Sequence, residues 1–175
     1  MSDPADHVLA IAVLTVSDTR GLAEDTSGDL LADRLERAGH RLAERRVVRD
    51  DVYAIRAAVS VWIADPAVNA ILTTGGTGFT ARDSTPEALT PLFDKTIEGF
   101  GELFRQVSYT EIGSSTIQSR AIAGLANGTL IFAMPGSTNA CRTAWDKILA
   151  NQLDAGFKPC NFAELLPRFF EKAQL

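Results

Sequence analysis

A chain of 175 residues, 46% hydrophobic and 22% charged, has the size and balance of a single globular domain, expected to span residues 1–175 with one core. Its net charge of −5 argues against a nucleic-acid partner, whose phosphates demand a basic face. No apolar run approaches the roughly 20 residues needed to cross a bilayer, and the beginning of the chain lacks the pattern of a signal peptide, so no membrane association and a cytoplasmic location are expected.

Taken in chain order, "VLAIAVLTV" (8–16) is almost unbroken apolar sequence rich in β-branched residues, the pattern of a strand covered on both faces. A polar loop, "SDTRGLAEDTSG", leads to a helix carrying Leu30, Leu31, Arg34, Leu35 and Ala38, stopped by Gly39. "RLAERRVV" (41–48) reads as a more polar, peripheral strand. Asp50 or Asp51 can cap the next helix, where Ile55, Val59, Trp62 and Ile63 form an apolar stripe that ends before Pro66. "NAILTT" is a further strand, and it runs directly into "GGTGFTARD". Beyond this the sequence predicts a short helix from Pro86, a turn at "DKTIEG", helices near 100–111 and 115–125, and a turn at Asn127-Gly128. A buried strand "TLIFAM", a sharp "PGST" loop and a long helix to Gly156 follow. The core is expected over about 8–156, with residues 157–175 as an apolar tail able to dock on the core or on another subunit.

This alternation is that of an α/β fold with a mostly parallel sheet. Ligands of such sheets bind beyond the carboxyl ends of the strands, where strand order reverses. "SDTRG", "GGTGFTARD" and "PGST" all leave buried strands at that kind of edge. The glycine loop is neither a P-loop, for want of its lysine, nor a dinucleotide fingerprint. It does offer bare backbone N–H groups, with the hydroxyls of Thr74 and Thr77, to an anion. Ser84 and Glu87 form the spacing of a capping box, and Thr85 before Pro86 is an alternative cap. Asp83 and Asp50 are either caps or carboxylates for a Mg²⁺ ion that also binds ligand phosphates. Ser137 or Thr138 can cap the last helix or face an anion. Arg120 is expected on a helix. Cys141 and Cys160, with His7 and His40 apart from them, lack zinc spacing and are expected to be buried or half-buried thiols.

The ordered motifs "LTVSDTR", "TTGGTGFTARDSTPEA", "QSRAIAG" and "FAMPGSTNACRTAWDKIL" resemble the MoaB/MogA molybdenum cofactor biosynthesis family over about Val8–Phe162. "VSVWIAD", "PLFDKTIEGFGELFR" and "LDAGFKPCNF" are closer to its MoaB branch. The resemblance implies a three-layer α/β/α sandwich and an enzyme that joins molybdopterin to AMP from ATP with Mg²⁺, releasing pyrophosphate. A protein that only binds the pterin, or a structural subunit of an assembly complex, is the alternative. It also implies catalytic and metal-binding roles for Asp50 and Asp83. A substrate pocket would comprise Ser17, Thr74, Gly75, Gly76, Thr77, Gly78, Ser108, Pro135 and Gly136. Where adenylylating members often read Pro-Asp, this chain has Arg49-Asp50. Other proteins of the pathway are implied as possible partners, and a homotrimer or homohexamer as the assembly.

Overall fold

Every residue of β1 (Ala10–Val16) is buried, as its almost unbroken apolar sequence requires of a strand covered on both faces. In the computed structural model, which describes residues 8–170, β1 lies inside a six-stranded sheet of order β2-β1-β3-β6-β5-β4. His7 and the end of the tail, 171–175, lie outside the described residues. β1 pairs in parallel with β2 (Arg41–Val48) and with β3 (Ala70–Thr74), and β3 with β6 (Thr129–Met134). The polar strand β2 occupies the edge, as its composition predicts.

Alternate residues of the central strands feed two separate cores. Ile11, Val13, Leu72, Leu130 and Phe132 face α1 (Thr26–Arg37), α4 (Glu98–Ile112) and α5 (Thr138–Ala144), from which Leu31, Leu35, Phe100, Phe104, Cys141 and Ala144 enter the same cluster. Ala12, Leu14, Ile71 and Ile131 face α2 (Val52–Ala64) and α3 (Thr85–Leu89), which supply Ile55, Val59, Trp62 and Leu89. Helices on both faces of one sheet make the expected three-layer sandwich. The last helix continues from α5 through a π turn (Trp145–Leu149) into α6 (Ala150–Gln152).

The predicted helix near 115–125 is not present. A short 3₁₀ segment, Gly113–Gln118, is followed by β5 (Ile122–Ala126), which pairs antiparallel with β6. Asn127 (φ 48°) and Gly128 (φ 80°) make the tight connection, and positive φ at both central positions suits the twist of a two-residue hairpin. Ala123 and Gly124, inside the predicted helix, are therefore strand residues. The "DKTIEG" turn likewise contains β4 (Lys95–Thr96), paired antiparallel with β5.

The tail folds back as 3₁₀ turns over Ala163–Phe170, and Ala163 and Leu166 join the first core. Phe162 meets Phe132 edge-on at 6.4 Å, and Phe132 meets Phe100 at 5.2 Å. Phe132 is 1% exposed, so replacing it leaves a cavity that the surrounding rings only partly fill. Phe132→Ala is expected to lower stability by about 3–5 kcal/mol in urea unfolding. The two thiols differ more than the sequence suggests: Cys141 is buried, and Cys160 is exposed rather than half-buried. Burial pushes the Cys141 thiol up to about 11. At pH 8 a thiol reagent should therefore modify Cys160 alone, and both cysteines only after unfolding.

Candidate functional site

The parallel strands β1, β2, β3 and β6 end at one edge, at Val16, Val48, Thr74 and Met134. Chain order reverses beside β1, with β2 on one side and β3 on the other, which opens a crevice at those carboxyl ends. A cleft of about 530 Å³ lies there. Its walls are Ser17 to Arg20 after β1, Asp50 after β2, Gly75 to Gly78 with Arg82 and Asp83 after β3, and Pro135 and Gly136 after β6. The loops singled out by sequence thus meet in one place.

The glycine loop is held by its backbone. Gly75 N donates to Met134 O (3.0 Å), Thr85 Oγ1 to Gly75 O (2.8 Å) and Thr85 N to Gly76 O (2.9 Å). Gly75 (φ 99°) passes so close to β1 that an added Cβ would sit 2.2 Å from the Val16 carbonyl oxygen. At Gly76 (φ 67°) it would meet Thr85 Oγ1 at 2.4 Å and Asp50 Oδ2 at 2.7 Å. Neither position tolerates a side chain, so the loop presents main chain to the cleft. No acceptor for the Gly76 and Thr77 amides is found among the described residues. Thr74 is fully buried beneath the loop, its hydroxyl donating to Pro135 O (3.0 Å) and lying 3.1 Å from Cys141 Sγ. It supports the cleft without lining it.

Three carboxylates line the cleft: Asp18, Asp50 and Asp83. Asp51 caps α2 by accepting from Tyr53 N and Ala54 N, which leaves Asp50 for the cleft. Asp50 Oδ1 accepts from both the amide and the hydroxyl of Ser84. The expected capping box is therefore absent: Ser84 turns to Asp50, Glu87 pairs with Arg120, and Thr85 bonds Gly75 O. Asp83 Oδ2 accepts from Thr80 Oγ1 (2.6 Å) and Thr80 N (2.8 Å). The Thr80 hydroxyl holds the Asp83 carboxyl below its usual range, outweighing partial burial, with help from the Thr80 and Gly78 amides and Arg120. Both carboxylates are bonded through one oxygen, and Asp50 Oδ2 accepts no hydrogen bond from the described residues. Among the described residues no group of three or more His, Cys, Asp or Glu side chains forms a metal site. Asp50 Oδ2, left without a donor, and the Asp83 carboxylate are the groups that could hold a Mg²⁺ ion completed by ligand phosphates.

Arg120, expected on a helix, instead lies just before β5 and clamps the glycine loop. Its Nε donates to Gly78 O (2.7 Å), its Nη2 to Asp83 O (2.9 Å) and its backbone N to Thr77 O (3.1 Å). The guanidinium stacks 5.3 Å from the Phe79 ring centroid and pairs with Glu87. It is a structural strut joining both ends of the loop segment that carries Asp83.

Of the residues assigned by resemblance, Ser17, Asp50, Gly75, Gly76, Thr77, Gly78, Asp83, Pro135 and Gly136 line the cleft. Ser108 does not: at the spacing of Phe100 and Phe104 it points with them from α4 into the buried face. Asp18, Arg20 and Arg82 line the cleft without having been assigned a role, as do Ile112, Ser115, Gln118 and Ser119. The last four lie at the end of α4 and in or directly after the 3₁₀ segment that follows it, where the sequence predicts a helix near 115–125.

A family model described as "Probable molybdopterin binding domain" matches residues 12–155. The chain is 60% identical over 152 residues to molybdenum cofactor biosynthesis protein B of Escherichia coli K12, covering 87% of this chain and 89% of that one. A crystal structure of a molybdenum cofactor biosynthesis protein B superposes with a TM-score of 0.81 at 45% identity, covering 83% of this chain and 91% of that one. The tungsten cofactor synthesizing protein MoaB of Pyrococcus furiosus superposes at 0.71 with 37% identity, covering 82% and 92%. With the fold, the order of the cleft loops and these similarities in agreement, the chain belongs to the MoaB family of molybdenum cofactor biosynthesis.

Proposed function

We propose that this chain binds molybdopterin in the cleft and adenylylates it with ATP and Mg²⁺, releasing pyrophosphate. The observation that carries the proposal is the convergence of a glycine loop, with no room for a side chain at Gly75 or Gly76, and two carboxylates, Asp50 and Asp83, at the strand-order reversal of a MoaB-family sheet. In the reaction a terminal phosphate oxygen of molybdopterin forms a bond to the α-phosphorus of ATP. The bond from that phosphorus to the bridging oxygen breaks, and both electrons leave with pyrophosphate. The nucleophile is already an anion and needs no general base. Mg²⁺ held by Asp50 and Asp83 would supply charge neutralisation at the triphosphate.

The protein's own task is positioning. The Gly76 and Thr77 amides would hold a phosphoryl group where no side chain can intervene, while Arg120 fixes the segment bearing Asp83. Ser84 and Thr80 orient the two carboxylates before any ligand arrives. A second reading, binding of the pterin without transfer, is favoured by that same feature, because both carboxylates already serve the loops. The family's implied homotrimer or homohexamer in the cytoplasm belongs to the same proposal. It is supported by Tyr109 (61% exposed), Ile112 (51%) and Ile117 (78%) at the end of α4 and the turn after it.

Purified protein given ATP, Mg²⁺ and molybdopterin should form adenylylated pterin and pyrophosphate. Binding without product would leave the second reading standing and remove the first. Asp83→Asn should reduce turnover at least about 100-fold with the fold retained. Unchanged turnover at saturating Mg²⁺ would show that Asp83 only ties the loop to Thr80. Sedimentation equilibrium is expected to give a trimer or hexamer, and a monomer would refute the assembly.

A further inference from the structure

Arg82 and Asp18 meet across the mouth of the cleft from two different loops, one after β3 and one after β1. Arg82 Nε donates to Asp18 Oδ2 at 2.9 Å and Nη2 to Oδ1 at 2.7 Å, a two-pronged pairing of guanidinium with carboxylate. The arginine side chain is 66% exposed, and no other acceptor holds its guanidinium among the described residues. Arg120 behind the same loop is the opposite case, 24% exposed and shared among Gly78, Asp83 and Glu87. One arginine is built into the scaffold, and the other is tethered by a single exchangeable partner.

The charges around the cleft give that tether a meaning. Its lining sets three carboxylates against two guanidiniums, those of Arg20 and Arg82. An anionic ligand entering such a cleft needs a cation, and Arg82 is already engaged. A phosphoryl group offers a guanidinium the same two-oxygen fork as a carboxylate, with more charge. An exposed ion pair contributes little in water, so exchanging one anion for another is cheap. Asp18 also stays in place when its partner leaves, because Asp50 N donates to Asp18 Oδ1 at 3.1 Å.

We infer that Arg82 is the phosphate-binding arm of the cleft and that Asp18 is its internal stand-in. A phosphorylated small molecule binds by displacing the Asp18 carboxylate from the Arg82 guanidinium. This rests on the cleft being a site for phosphorylated ligands, and it adds the residue that captures the phosphoryl group and the one that competes for it. The pterin phosphomonoester and the nucleotide triphosphate share this chemistry. Displacement frees the Arg82 side chain while Asp50 continues to bridge Asp18 and Ser84, so the two loops stay joined as the ligand enters.

The test is calorimetric titration of the full chain with molybdopterin, ATP and inorganic pyrophosphate, each separately, for wild type, Arg82→Ala, Arg82→Lys and Asp18→Asn. Arg82→Ala should weaken whichever ligand places its phosphate on Arg82 by about 10- to 100-fold, identifying the source. Arg82→Lys, with the charge but not the fork, should fall between. Asp18→Asn keeps an acceptor for Asp50 N and should tighten the same ligand by about three- to tenfold. If the pair merely braces two loops, both substitutions weaken binding together, and that result overturns the inference. Wild-type affinities for all three ligands in Arg82→Ala do the same. Opposed shifts with ATP or pyrophosphate but no binding of molybdopterin would keep the Arg82 arm and remove the proposed pterin substrate. Molybdopterin binding indifferent to every variant would do the reverse, and no binding by any protein would overturn both.

Discussion

The chain leaving β3 has to cross the end of β1 at a separation that admits no side chain, and the whole cleft depends on that crossing. Gly75 lies against the Val16 carbonyl, its amide is spent on Met134 O, and Gly136 approaches it from β6. Three strand ends are thereby brought to the packing distance of bare backbone. A methyl group at Gly75 would separate β1 from the loop and spread the ends of β1, β3 and β6 that form the floor. With positive φ at Gly75 and Gly76, the loop carbonyls from Gly75 to Gly78 are taken up by Thr85 and Arg120, while the Gly76 and Thr77 amides find no acceptor among the described residues.

An acidic cleft is an unusual home for an anion, and the way each carboxylate is partnered explains how it can serve. Asp83 is held through one oxygen by Thr80, Asp50 through one oxygen by Ser84, and Asp18 by Arg82 and the Asp50 amide. These bonds fix the carboxylates in place, and the Arg82 charge offsets that of Asp18. Behind this layer lies a fully buried carboxylate, Asp25, which accepts from Thr15 Oγ1 (2.7 Å), Gly28 N (3.0 Å) and Arg45 Nη2 (2.8 Å). It joins β1, α1 and β2 beneath the cleft. Removing one partner of such a buried pair leaves an uncompensated charge, a loss of about 3–5 kcal/mol. The rigid charge network is thus inside and the exchangeable one outside.

The layered α/β fold was legible in the sequence because the three central strands are apolar on both faces, a pattern that few other structures require. The cleft loops were legible for a related reason: Gly75-Gly76 and Pro135-Gly136 interrupt buried strands where only backbone can fit. The segment 113–126 misled, because "SSTIQSRAIAG" contains alanines and small polar residues compatible with a helix. Asn127-Gly128 between two apolar runs is a hairpin signal, and it outweighs the helical composition of the segment before it. Ser84 and Glu87 kept capping-box spacing but answered to Asp50 and Arg120, partners 34 and 33 residues away. Local spacing cannot reveal such pairings. Asp18 and Arg82 escaped assignment for the same reason, since their meeting is fixed by strand order and not by distance along the chain.

The hairpin of β5 and β6 alters what this sheet can bring to its own ligand edge. In parallel strands only residues that follow a strand reach the carboxyl end, so each strand contributes once, on its way out. Because β5 runs backward against β6, it starts at that end, and Arg120 arrives there before its strand begins. A residue that enters from this direction is anchored by everything downstream of it in the sheet. Arg120 can consequently steady a loop made by a different strand from a position fixed by its own, and the one strand of reversed direction turns a sheet edge into a two-sided vise.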